Sequence, residues 1–208
     1  MVQPLNYLSE TTSQTAGPYV HIGLAPAAAG FDIFEKNFSH VVAGPQTRGT
    51  RIRIEGRVLD GTGTPVRDVL VESWQANSEG RFNHPDDTQT KALDPDFRGW
   101  GRSCSDFDTG VFLLDTIKPG SVPWRDGRAQ APHISLWIVA RGINIGLNTR
   151  LYFSDEEAAN ANDPVLRLIE QEVRRKTLIA LRQETPEGLV YRFDIHLQGE
   201  HETVFFDI

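Results

Sequence analysis

Between Arg51 and Glu55 polar and apolar residues alternate, and the alternation resumes through Arg57-Val58-Leu59. A period of two puts successive side chains on opposite faces, which marks a strand with one face buried. The same pattern predicts strands over residues 66–75, 111–117, 133–140, 149–153 and 191–197, with an apolar run at 204–206 closing the set. In the second of these, Val69, Val71 and Ser73 share one face and Leu70, Glu72 and Trp74 the other. In 191–197, Tyr191, Phe193, Ile195 and Leu197 oppose Arg192, Asp194 and His196. Asp60-Gly61-Thr62-Gly63 and Pro119-Gly120 supply the turns. One stretch departs from this period: Asp163-Pro164 is followed by Val165, Leu168 and Ile169 and later by Leu178 and Ile179, a spacing that predicts one or two short helices. Residues 1–50 carry little periodicity and hold Pro4, Gly17, Pro18, the Ala25–Gly30 stretch and Pro45. They read as an extended N-terminal arm with one short helix, stable only when laid on its own domain or on a partner subunit. The expected fold is therefore all-β: a β-sandwich of mixed short strands over 51–208, preceded by the arm over 1–50.

Composition narrows the function. The 208 residues include 18 Gly and 12 Pro, which suits a turn-rich β protein, and are enough to bury a sizeable core. The net charge is -7 with no basic block, which argues against nucleic acid as a partner. An anionic small molecule would have to be drawn in by a local Arg or Lys. Cys104 is the single cysteine, so an internal disulfide and a cysteine-based zinc cluster are both excluded. Its expected role is that of a small buried hydrophobe. Met1 to Glu10 has neither the basic start nor the apolar stretch of a secretory signal. No apolar run approaches the roughly 20 residues of a membrane span, so the expected location is cytoplasmic, without membrane association.

Three motifs, in this order and spacing, carry a resemblance that runs over most of the chain. They are Ser13-Gln14-Thr15-Ala16-Gly17-Pro18-Tyr19, Leu93-Asp94-Pro95-Asp96-Phe97-Arg98-Gly99-Trp100-Gly101-Arg102, and Thr116-Ile117-Lys118-Pro119-Gly120 continuing through Pro123-Trp124 to Ala131-Pro132-His133-Ile134. Arg150-Leu151-Tyr152-Phe153 and Tyr191-Arg192-Phe193-Asp194-Ile195 support them. Together they resemble the intradiol ring-cleaving dioxygenases, and the arm motif with Ala140-Arg141-Gly142-Ile143-Asn144-Ile145 resembles the alpha rather than the beta subunit of the family's two-chain members. The resemblance implies a non-haem Fe(III) held by two Tyr and two His of a homologous beta subunit. It also implies 3,4-dihydroxybenzoate and O2 as substrates, 3-carboxy-cis,cis-muconate as product within the beta-ketoadipate route of aromatic catabolism, and a higher hetero-oligomer of alpha–beta protomers.

The family's ligand positions are largely emptied of donors here. Its His-x-His falls on His133-Ile134-Ser135, one tyrosine ligand on Val122, and the other within Thr88–Ala92. A family arginine falls on Gln130. The chain's four tyrosines are Tyr7, Tyr19, Tyr152 and Tyr191, none of them between 20 and 151, where the family places both ligands. No metal ligand and no catalytic residue is therefore expected in this chain, since one imidazole does not retain ferric iron. His133 is expected to be a partly buried histidine, and His21, His40, His84, His196 and His201 show no metal-binding spacing.

What the resemblance leaves to this chain is a share of the substrate cavity. Thr15, Gly17, Pro18 and Tyr19 match the family's arm positions above the iron, with Gly permitting close approach and Pro stiffening the turn. Arg141, at the end of an apolar strand, would offer a planar cation to the substrate carboxylate. An ordinary turn and an ordinary surface ion pair are the plainer readings of these two features. Arg150 and Arg192 are expected to be structural ion-pair partners. A non-enzymatic β-sandwich ligand-binding module is the alternative, since Gly56-Arg57-Val58-Leu59-Asp60 with Gly63, Pro65 and Val66 suits many such domains. A self-sufficient dioxygenase is opposed by the missing tyrosines.

Overall fold

The period-two segments become strands in the structure, a computed structural model that describes residues 12, 14–35 and 38–207. They are β1 (Arg51–Leu59), β2 (Leu70–Trp74), β3 (Trp100–Cys104), β4 (Val111–Ile117), β5 (Val122–Pro123), β6 (Ala129–Gln130), β7 (His133–Val139), β8 (Leu147–Phe153), β9 (Ile179–Thr185), β10 (Gly188–Arg192) and β11 (Ile195–His196). Among the described residues three short α-helices accompany them: α1 (Val20–Leu24), α2 (Glu157–Asn162) and α3 (Glu172–Lys176). Among the described residues nine strands form one mixed sheet, and β5–β6 is a separate hairpin. β1 pairs antiparallel with β4 on one edge and parallel with β10 and β11 on the other. From β10 the order runs β9, β8, β7, β2, β3, with β8 and β9 joined at two register pairs only.

The sheet folds over on itself, and the inward positions of each strand meet. Ile52, Ile54 and Val58 of β1 pack with Phe112 and Leu114 of β4, Ile134, Leu136 and Ile138 of β7, Leu151 and Phe153 of β8, and Tyr191 of β10. Each large apolar side chain so buried stabilises the fold by about 1.5–3 kcal/mol before conformational entropy is counted. This is the all-β sandwich that the alternation predicts, rolled almost into a barrel.

Its remaining seam, between β3 and β4, is closed by the arm. On the β4 side, the Asp115 N–H donates to His40 O (2.9 Å) and the Val42 N–H donates to Asp115 O (2.9 Å). On the β3 side, the Arg102 N–H donates to Ser39 O (3.1 Å) and the Arg98 N–H to Val42 O (3.3 Å). Residues 39–43 thus satisfy backbone groups that two sheet edges would otherwise expose. Val42 is 2 % exposed and packs with Ala43, Phe97 and Ile117 in a second apolar cluster. Further along the seam the Leu113 N–H donates to Ser103 Oγ (3.0 Å).

Several elements differ from expectation. The strand expected over 191–197 is split, because β1 carries Gly56 against Phe193 O, and the Asp194 carboxylate rather than a backbone carbonyl accepts the Arg57 N–H (2.9 Å). The strand expected from residue 66 begins at Leu70, after a turn through Arg67 and Asp68. Ile179, expected in a helix, opens β9, and α2 lies upstream of the expected helical stretch. The 204–206 run makes one isolated bridge, Asn148 to Phe206, instead of a strand. Among the described residues no helix is long and apolar enough to cross a membrane.

Gly101 of β3 lies where the arm crosses: a Cβ there would stand 2.7 Å from Val42 Cγ2 and 3.0 Å from Ser39 O. Gly101→Val is expected to push residues 39–43 out of the seam and lower stability by about 2 kcal/mol. Thermal unfolding checks this, and an unchanged midpoint would remove the seam from the account.

Candidate functional site

Two of the positions that the resemblance matches to iron ligands, 133 and 135, lie on β7 between β2 and β8. Alternation along β7 sends Ile134, Leu136 and Ile138 to the core and His133 and Ser135 outward. Register pairs His133 with Tyr152 and Ser135 with Arg150, and Trp74 lies beside Ser135 on the other flank. The β5–β6 hairpin sets Val122 opposite Gln130. Val122, Thr88, Gln89, Trp74, Phe82 and His84 wall one cleft of about 530 Å3, so the places assigned to the two lost tyrosines face the same space.

A hydrogen-bond network joins Arg150, Gln130, Tyr152 and Asp163 beside that cleft. The Arg150 guanidinium donates to Gln130 Oε1 (2.8 Å), and the Gln130 amide donates to Pro123 O (3.0 Å). Asp163, fully buried, accepts the Ala131 N–H (2.8 Å), the Tyr152 hydroxyl (3.2 Å), and the Val165 and Leu166 N–H groups (2.9 and 2.8 Å). Four donors on one carboxylate explain how it survives without water. His133 places Nδ1 2.8 Å from Ala131 O, which requires Nδ1 to carry the proton. Burial, reinforced by the Arg150 charge, lowers its pKa to about 4, so the ring is neutral at ordinary pH. Burial raises the Tyr152 phenol above its usual value, so it stays protonated.

These residues do not fit a ferric ion. Val122 has no donor atom and is 4 % exposed, Ser135 offers a neutral hydroxyl, and a permanent guanidinium stands close enough to His133 to shift its pKa. Hard trivalent iron needs anionic oxygen ligands, and Val122, His133 and Ser135 supply none. Arg150 therefore differs from expectation: it hydrogen-bonds the neutral Gln130. Arg192, by contrast, pairs with Glu55. Cys104 is half-buried, and burial pushes its thiol up to about 11, which leaves it unreactive.

A second constellation forms where the arm meets the end of β7. The turn after β7 places Gly142 at φ +87°, a left-handed conformation that favours glycine. The Gly142 N–H donates to Thr15 Oγ1 (2.7 Å), and the Thr15 hydroxyl donates to Ala16 O (3.1 Å). Arg141, the residue before, is 65 % exposed in its side chain, with Nε 3.2 Å from Oδ2 of Asp68, whose side chain is 7 % exposed. Thr15 and Arg141 are thus brought to one corner. Gly17, Pro18 and Tyr19 are exposed at the entry to α1, where Gly17 O accepts the Val20 N–H (3.2 Å) and Tyr19 is 74 % exposed. Ser13 and Tyr7 fall outside the described residues.

Asp68 escaped the sequence reading, and Asp163 entered it only as the start of a helical stretch. Asp163 had a signal, since an Asp before Pro at the start of a helical stretch is an N-cap pattern. Asp68 had none.

A family profile described as Dioxygenase matches residues 33–199. The chain is 50 % identical over 204 residues to the protocatechuate 3,4-dioxygenase alpha chain of Pseudomonas putida, covering 98 % of this chain and 99 % of that one. It is 38 % identical over 160 residues to the protocatechuate 3,4-dioxygenase beta chain of Burkholderia cepacia, covering 74 % of this chain and 67 % of that one. Among solved structures, wild type Acinetobacter radioresistens catechol 1,2 dioxygenase superposes with a TM-score of 0.58 at 16 % identity, covering 91 % of this chain and 71 % of that one, which speaks to the fold alone.

The buried neutral His133 has a consequence for stability. An unfolded histidine titrates at ~6.5, and burial pushes His133 down to about 4. Its contribution is complete above the unfolded value and is lost as pH falls from there through the folded one. His133→Gln is expected to flatten the decline in stability between these values by up to roughly 3 kcal/mol. Chemical denaturation at stepped pH measures this, and parallel curves for the two proteins would contradict it.

Proposed function

The chain belongs to the intradiol dioxygenase family, and on that premise we propose that it is the iron-free alpha subunit of a heteromeric protocatechuate 3,4-dioxygenase. It completes the substrate cavity over a ferric site held by a homologous beta subunit, in an assembly of alpha–beta protomers. The reaction so served is intradiol cleavage of 3,4-dihydroxybenzoate by O2 to 3-carboxy-cis,cis-muconate. The observation that carries this reading is the loss of the donor set from a chain that aligns end to end with an alpha-chain relative. Ring opening belongs to the partner, and this chain binds and orients.

In this reading the Arg141 guanidinium faces the substrate carboxylate, and Thr15, Gly17, Pro18 and Tyr19 wall the cavity. A carboxylate in a cavity shielded from water gains a charge-assisted hydrogen bond worth about twice a neutral one. The acidic chain, at -7 overall, supplies no general attraction, so the local cation matters more. The exposed apolar side chains of the arm, Phe31 (51 %), Ile33 (66 %) and Phe38 (49 %), suit burial against the beta subunit. The alternative of a binding module with no catalytic partner finds no support among relatives named as dioxygenase chains.

Expression with and without a homologous chain carrying both tyrosines and the intact His-x-His tests the reading. This chain alone is expected to be colourless and inactive, and the pair to be iron-coloured and active. Ring cleavage by this chain alone would refute it. In the pair, Arg141→Ala is expected to raise KM for 3,4-dihydroxybenzoate by about ten-fold or more with iron content unchanged. Iron loss in that variant would count against the assigned role.

A further inference from the structure

We propose that Asp68 is a positioning residue that holds Arg141 in a pose ready for a carboxylate. The proposal rests on the reading of Arg141 given above and names what makes that arginine selective.

Asp68 sits in the turn that leads into β2, next to Val69, which has no exposed surface. The Val69 N–H donates to Ser105 Oγ (3.2 Å) and the Ser105 N–H donates to Val69 O (3.0 Å), so the backbone beside Asp68 is fixed. The carboxylate is 7 % exposed, and its Oδ2 has no aligned hydrogen bond. Its counter-charge is Arg141, whose Nε lies 3.2 Å away. A buried carboxylate left without a counter-charge is strongly unfavourable, so Asp68 keeps a persistent hold on the guanidinium.

The geometry of the hold matters. The contact is made at Nε, at the root of the fork, and among the described residues the two terminal amines of Arg141 have no hydrogen-bond partner. An ion pair at Nε leaves the two terminal amines open to a second carboxylate, which can accept them in bidentate fashion. The backbone of the same turn is gripped independently, by Thr15 Oγ1 on the Gly142 N–H at 2.7 Å. Asp68 thus removes the rotamer freedom that a 65 % exposed arginine would otherwise lose on binding substrate. An opposing effect exists, because Asp68 is itself an anion near the expected anion. Its charge is already matched by Arg141, which limits that repulsion.

The test uses the assembled two-chain enzyme with 3,4-dihydroxybenzoate and with 1,2-dihydroxybenzene, which lacks the carboxylate. Asp68→Asn is expected to raise KM for the carboxylated ring about ten-fold, to leave kcat within about two-fold, and to leave KM for the uncarboxylated ring unchanged. In an Arg141→Ala background Asp68→Asn is expected to add nothing further, since there is no guanidinium left to place. A purely structural Asp68 would change both substrates alike, and that result overturns the proposal. A fall in KM for the carboxylated ring also overturns it, showing Asp68 to be a competitor of the substrate. If Asp68→Asn does not assemble, Asp68→Glu moves the carboxylate by one methylene, and an unchanged KM for both substrates then sinks the idea. Arg141→Ala with normal KM would remove the reading of Arg141 itself, whereas an Arg141 effect with a silent Asp68→Asn removes Asp68 alone.

Discussion

Closure of the seam between β3 and β4 is the constraint on which the rest of the molecule depends. The twisted sheet stops one strand short of a closed barrel, and residues 39–43 supply backbone partners to both open edges at once. Without them, unpaired N–H and C=O groups would face outward beside a core that includes Val71 and Phe112. The same arm reaches the corner where Thr15 meets Gly142. Sheet closure and the candidate binding corner therefore share one continuous piece of chain, and neither is set independently of the other.

In the proposed reading, the positions matched to the family's iron ligands show how the absence of a metal is stabilised. An iron site brings its own positive charge and needs anions around it. Here the neighbourhood has been rebuilt around a protein cation, Arg150, seated on Gln130, with Asp163 satisfied by four donors and His133 kept neutral. An arginine at position 130 would bring a like charge to the place where Arg150 donates to Gln130 Oε1. The substitutions at 122, 130 and 135 read as one consistent replacement of a charged centre by a hydrogen-bonded one.

Much of the fold was legible because burial and alternation coincide. β4 was read from end to end, since Phe112 and Leu114 face the core and their neighbours do not. β3 was invisible as a strand because its buried positions, Gly101 and Ser103, are small and unbranched where the arm needs room. β9 was missed because four successive residues, Leu181 to Glu184, are exposed, which erases any period. The split of β10 from β11 depends on a contact with Gly56 from across the sheet, which no local pattern reports. The candidate corner was legible in pieces: Thr15 and Arg141 were each singled out through the resemblance, but their meeting across a separation of more than a hundred residues is a property of the folded chain. Asp68 carried no signal, because one aspartate in a turn looks like any other until its burial is seen.

The arm that closes the seam leaves the ribosome well before the strands it joins, Trp100–Cys104 and Val111–Ile117. Contacts so distant along the chain close slowly, after local hairpins have formed. The leading segment of the polypeptide therefore has no place to rest until most of the domain exists. Order of birth and order of docking run in opposite directions, and a nascent chain interrupted halfway would display an unanchored, sticky leader instead of a finished subunit.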